Sequence, residues 1–140
     1  MTGSDPRAKP PDPPAGSVIR VMVVDDSAVI RGLFARALEH DPEIRVVASV
    51  GDGRMAVDTV KRHEIDVVVL DIEMPVMNGM EFLVWLRGAP GGDHPKVVFC
   101  TTENDLAHIQ QAMSAGADEY IMKPFDAAII QSKFTQVGLL

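Results

Sequence analysis

Apolar residues fall along this chain in two alternating rhythms. Residues 67–70, Val-Val-Val-Leu, form an unbroken aliphatic run between Asp66 and Asp71. A short run with no polar alternation is how a strand reads when helices cover both of its faces. Further strands are predicted over 18–24 (apolar but for Arg20), 44–50, 96–100 and 118–122. Between them the spacing changes to three and four residues. Val29, Ile30, Leu33, Phe34, Ala37 and Leu38 predict a helix that closes near Asp41-Pro42. A short helix over 55–63 has Met55, Val57 and Val60 as its core contacts, and further helices are predicted over 80–87, 106–115 and 126–137. Ser27 and Asp126 suit the N-cap position, Gly51-Asp52-Gly53 reads as a turn, 88–95 as a Gly/Pro loop, and Gly116 closes a helix. Five β-then-α units in succession predict an α/β fold, with a parallel sheet and right-handed crossovers placing helices on both faces.

The first seventeen residues break this pattern. They carry Pro6, Pro10, Pro11, Pro13 and Pro14 among small and polar residues, with no hydrophobic period. Such a segment buries too little surface to offset its ordering entropy, so 1–17 is expected to be a disordered tail and 18–138 one domain. At 140 residues the chain is long enough for a single core.

Composition narrows the function. Thirteen basic against twenty acidic residues give a net charge of −7 with no basic stripe, which disfavours nucleic acid as a partner. No apolar run is long enough to span a bilayer, and the N-terminus lacks the core of a secretion signal, so no membrane is expected. One cysteine, Cys100, excludes an intrachain disulfide and fits a cytoplasmic location. His40, His63, His94 and His108 are scattered and expected at the surface.

The chemistry gathers at the carboxyl ends of the predicted strands, where open α/β sheets bind ligands. Asp25 and Asp26 follow the first strand, Asp71 the third, Thr101 the fourth and Lys123 the fifth. Carboxylates packed together repel unless a cation joins them. Hard oxygen ligands beside water suit Mg²⁺. A metal site, a lysine and an acceptor carboxylate are the parts needed for phosphoryl transfer. A dehalogenase-type phosphatase would place a second acid two residues after a nucleophile on its first strand, whereas Asp71 lies on the third. A flavin-binding relative would need a hydroxyl- and glycine-rich loop where this chain has Asp25-Asp26-Ser27.

Val-Asp-Asp-Ser at 24–27, Leu-Asp-Ile-Glu-Met-Pro-Val-Met-Asn-Gly at 70–79, Thr-Thr at 101–102 and Lys-Pro-Phe at 123–125 together resemble the receiver domain of two-component response regulators. The resemblance covers about 18–138. It implies a flavodoxin-like, CheY-like three-layer sandwich with strand order 2-1-3-4-5, an order seen in the chemotaxis receiver CheY. It implies that Asp71 accepts a phosphoryl group from a histidine kinase. Asp26, Asp71 and the Glu73 backbone carbonyl would ligate Mg²⁺ directly, and Asp25 through water. Lys123 would pair with the phosphoryl group, Thr101 and Tyr120 would form the switch, and the Lys123–Pro124 bond would be cis. Glu73, Thr102 and Glu103 would set the rate of self-dephosphorylation. Output is expected through the face formed by the fourth helix, fifth strand and fifth helix, which carries Asp105, Asp118, Glu119 and Asp126. The partners implied are a CheA-like or relay histidine kinase and, first, a flagellar motor switch protein bound by a stand-alone monomer. Alternatives are a relay or phosphate-sink regulator, or the receiver of a larger regulator such as a chemotaxis methylesterase. No enzymatic activity beyond its own phosphorylation and dephosphorylation is expected. Trp85, on the third helix, is expected near enough to the site to report its occupancy.

Overall fold

A computed structural model describes residues 18–71, 77–101, 106–123 and 126–138. The expected tail, Glu73, Thr102, Glu103, Asp105 and the Lys123–Pro124 bond lie outside these described residues. Five strands alternate with five helices: β1 Ile19–Val24, α1 Ala28–Glu39, β2 Ile44–Val50, α2 Gly53–Arg62, β3 Val67–Asp71, α3 Gly79–Gly88, β4 Lys96–Thr101, α4 Leu106–Ser114, β5 Glu119–Met122 and α5 Ala127–Gln136. Every pairing is parallel, and the order is β2-β1-β3-β4-β5, as the resemblance implied.

Because strand side chains alternate between faces, the apolar runs supply two cores. Val21, Val23, Val67, Val69, Val98, Cys100 and Ile121 pack with Phe34 and Leu38 of α1 and Ile130 and Phe134 of α5. Met22, Val24, Val68, Leu70, Val97 and Phe99 pack with α2, α3 and α4, chiefly through Ala56, Val57, Phe82, Leu83, Leu86 and Ala112. On α2, Val57 is buried and Val60 packs against the core as expected, but Met55 does not join them. That helix starts at Gly53, capped by the Asp52 side chain, which accepts a hydrogen bond from the Met55 amide. The turn at 51–53 is thus the helix start, the buried stripe passes through Ala56 and Val57, and Met55 faces solvent. Ser27 and Asp126 cap α1 and α5 as expected, and Asn78 and Glu81 form a reciprocal capping box on α3. Of the histidines, His108 is half-buried and the other three are exposed. No helix among the described residues is long and apolar enough to cross a membrane.

Charged groups fasten the edge of the sheet where the strands begin. Asp66 accepts hydrogen bonds from the Arg20 amide (2.8 Å), Nε (3.1 Å) and Nη2 (3.3 Å). Burial works against ionisation, but these bonds and the Arg20 charge prevail and hold the Asp66 carboxyl below its ordinary range. Arg87, near the end of α3, donates to the carbonyls of Gly116 (3.0 Å), Gly92 (2.6 Å) and Pro95 (2.8 Å) and to Asp118 Oδ2 (2.9 Å). The same Asp118 oxygen accepts from the Val97 amide. Gly116 has φ +112°, and an added Cβ would lie 3.0 Å from Arg87 Cγ, so both its conformation and its close approach call for glycine. Trp85 also lies toward this edge. Helices in β-α-β units run back toward the strand starts, and Trp85 lines a cleft with Glu64, Ile65 and Pro95, just before β3 and β4. It is therefore remote from the strand ends, contrary to expectation.

Candidate functional site

At the opposite edge, Asp25, Asp26, Asp71, Thr101 and Lys123 come together. β1 delivers Asp25 to a buried position, 2 % exposed, while Asp26 beside it faces solvent. Asp71 is the last residue of β3 and pairs with Cys100. One carboxylate oxygen from each of Asp25, Asp26 and Asp71 lies within 4.8 Å of the other two. Lys123, just past β5, places Nζ 3.2 Å from Asp25 Oδ2 and 3.3 Å from Asp71 Oδ1. Thr101, buried at the end of β4, accepts the Lys123 amide on its backbone oxygen at 2.7 Å, which ties the ends of β4 and β5 together.

This geometry leaves Asp71 under electrostatic load. Burial first, then the Asp25 charge, pushes its pKa up from 3.8 to about 6, and Lys123 offsets only part of the rise. Burial acts to lower the Lys123 pKa, but Asp71 and Asp25 outweigh it and the pKa is raised, so the ammonium stays charged. Three acids facing one lysine form a donor set with room for a further cation. Hard oxygens from separate carboxylates suit a divalent ion such as Mg²⁺. Cys100 is fully buried, which pushes its thiol well above its ordinary value and leaves it part of the packing.

Tyr120 pairs with Phe99 and is half-buried against the α2–α3–α4 core. Lys133 of α5 lies 4.6 Å from the centre of its ring and 3.4 Å from Glu119 Oε1. The acidic face from which output is expected is also less open than the sequence implied. Asp118 is held by Arg87 at the strand-start edge, Glu119 meets Lys133, and Asp126 caps α5.

Two supporting residues escaped the sequence reading. Arg31, one turn into α1, donates to the Asp25 backbone carbonyl at 2.6 Å. The Gly53 amide donates to the Met77 carbonyl at 2.9 Å, and a Cβ on Gly53 would lie 2.5 Å from that oxygen. α2 therefore anchors the chain where it returns from Asp71 to α3, and only a glycine permits the approach. Gly53→Ala should cost about 1–3 kcal/mol through this overlap, read as a lower urea midpoint with unchanged slope. An unchanged midpoint would mean that the contact is not tight in solution.

Residues 21–135 match the response regulator receiver domain family. Among curated proteins, the chain is 50 % identical over 123 residues to a protein-glutamate methylesterase/protein-glutamine glutaminase of Azospirillum brasilense, covering 85 % of this chain and 30 % of that protein. It is 52 % identical over 127 residues to the group 2 operon methylesterase of Rhodospirillum centenum, covering 89 % and 32 %. The chain thus spans about a third of the length of the curated relatives it matches. Among solved structures, the chemotaxis response regulator CheY4 of Vibrio cholerae superposes with TM-score 0.77 at 28 % identity, over 86 % of this chain and 99 % of that one. The response regulator domain of Thermotoga maritima CheB gives 0.67 at 32 %, over 83 % and 88 %. Three carboxylates and a lysine gathered at the strand ends, the β2-β1-β3-β4-β5 sheet and these likenesses converge: the chain belongs to the response regulator receiver domain family, the phosphorylation-activated component of two-component signalling.

Proposed function

We propose that Asp71 is the phospho-acceptor of this receiver, taking its phosphoryl group from a histidine kinase. The observation that carries this reading is the contact of Asp71 with Lys123 beside two further carboxylates. An Asp71 carboxylate oxygen attacks phosphorus, the P–N bond of the phosphohistidine breaks, and the imidazole leaves with its electron pair and takes up a proton. Lys123 follows the transferred oxygens, and Thr101 offers its hydroxyl from the adjacent strand end. Asp25, Asp26, Asp71 and the Glu73 carbonyl are the groups that would hold Mg²⁺, which when bound neutralises charge on the phosphoryl oxygens. Tyr120 responds to the movement of Thr101 and passes the change to the α4–β5–α5 face, as a differential interaction with two states. Glu73, two positions after the acceptor in sequence, and Thr102 and Glu103, which follow Thr101, tune the lifetime of the acyl phosphate.

For the output, identities of 50 and 52 % to methylesterases favour control of a chemotaxis methylesterase activity. Binding to a flagellar motor switch is the second reading, supported by the CheY4 likeness. A CheA-like kinase is the donor in either case, and a monomer in the cytoplasm suits both.

The test is incubation with acetyl phosphate and Mg²⁺, followed by intact mass. The expected result is a gain of one phosphoryl group that chelation prevents and Asp71→Asn abolishes. Incorporation that persists in Asp71→Asn would move the acceptor to another residue.

A further inference from the structure

The β1–α1 turn that carries Asp25 and Asp26 is held from outside the acid cluster. The Asp25 amide donates to the Val50 carbonyl at 3.1 Å, and its Oδ1 accepts the Ser27 amide at 2.9 Å. Its carbonyl is taken by Arg31 Nη1 at 2.6 Å. Helix side chains lean toward the N-terminus, so an arginine one turn into α1 folds back over the turn that starts the helix. The same nitrogen would lie 3.4 Å from a Cβ on Gly51, which places the guanidinium between the tip of β1 and the turn after β2. The position is electrostatically unusual. Helix N-termini favour acids, yet the first turn of α1 has none, and Arg31 follows directly.

We infer that Arg31 is a positioning residue for divalent-cation binding: by gripping the Asp25 carbonyl, it fixes the peptide from which Asp26 departs and holds the acids together against their mutual repulsion. This rests on the metal-binding reading of the cluster given above. Without the grip, the turn relaxes outward and Asp26, the exposed member, moves away from Asp25 and Asp71. The cation must then gather its ligands at its own cost. Residues that orient ligands from behind typically change metal affinity ten- to a hundredfold.

The experiment is calorimetric titration of the full chain with Mg²⁺ alone, for wild type, Arg31→Gln and Arg31→Lys, with far-UV spectra and metal-free melting confirming that each is folded. Arg31→Gln should weaken Mg²⁺ binding by about tenfold or more, and Arg31→Lys, which keeps a donor and a charge, should recover part of it. The same Arg31→Gln chain should gain more in melting temperature from saturating Mg²⁺ than from the same concentration of Ca²⁺, as wild type does, but only at higher metal concentration. Wild type that binds Mg²⁺ while Arg31→Gln binds it within twofold as well would overturn the role of Arg31 and leave the metal site standing. Wild type that binds none would overturn both.

Discussion

Asp71→Asn should make the metal-free protein more stable at pH 7. A carboxyl whose pKa rises from 3.8 to about 6 on folding holds protons more tightly in the folded state than in the unfolded one. Between these values the native state binds the extra proton, so stability falls as pH rises through the interval and the deficit is complete above about 6. The full shift corresponds to about 3 kcal/mol. Solvent reaches part of the cluster and screens it, so about 1–2 kcal/mol is expected, or a rise of about 5 °C in melting temperature for a domain of this size. Three features of the melts check the origin of the effect. The gain should be present in EDTA at pH 7, should vanish near pH 4 where the wild-type carboxyl is already protonated, and should shrink when Mg²⁺ supplies wild type with the missing positive charge. An Asn variant no more stable than wild type in EDTA would remove the burial and repulsion of the Asp71 carboxylate as the features that shape this site.

Arg87 is expected to show the largest loss. Its side chain bonds three backbone carbonyls from two loops and one carboxylate, and it is only 16 % exposed. Arg87→Met keeps the length and the apolar stem, but strands those acceptors and leaves Asp118, among the described residues, with Lys96 at 4.0 Å as its remaining ion-pair partner. Hydrogen bonds to charged groups contribute about 1.5–3 kcal/mol each, but they do not add in full. A cost of about 3 kcal/mol, seen as a drop of about 10 °C in melting temperature, follows. Arg87→Lys should recover little, because an ammonium cannot reproduce the planar fork that reaches both loops. A drop below 2 °C for Arg87→Met would show that the loops hold themselves.

The sequence carried most of the fold because its two periods are unambiguous. Strands such as 67–70 are apolar on both faces, and the helices between them are short and punctuated by Ser27, Gly116 and Asp126. The site was legible for a similar reason: its chemistry sits on side chains at strand ends, and the topology of a parallel sheet collects those ends. What escaped were contacts from side chain or amide to a distant backbone carbonyl. The grip of Arg31 on Asp25, of Gly53 on Met77 and of Arg87 on Gly92, Pro95 and Gly116 leaves no periodic trace, since any residue presents a carbonyl. Met55 sits in the first turn of α2, which the Asp52 cap starts, and faces solvent, while Val57 and Val60 meet the core. Trp85 and Asp118 were misplaced along the strand axis. A helix that returns beneath the sheet carries its later residues away from the strand ends, and a residue before a strand lies at the opposite edge from one after it.

The polar fastenings of Arg20–Asp66 and Arg87–Asp118 at one edge, and the crowded acids at the other, divide the molecule unequally. Where the strands begin, loops are stitched to neighbouring elements by ionic hydrogen bonds. Where they end, like charges press on one another around one ammonium among the described residues. Local opening is cheapest where contacts are strained or few. The described residues are thus graded along the strand direction, from a foot fastened by ionic hydrogen bonds to a crown loaded by like charges, and it is the foot that keeps the sheet in register.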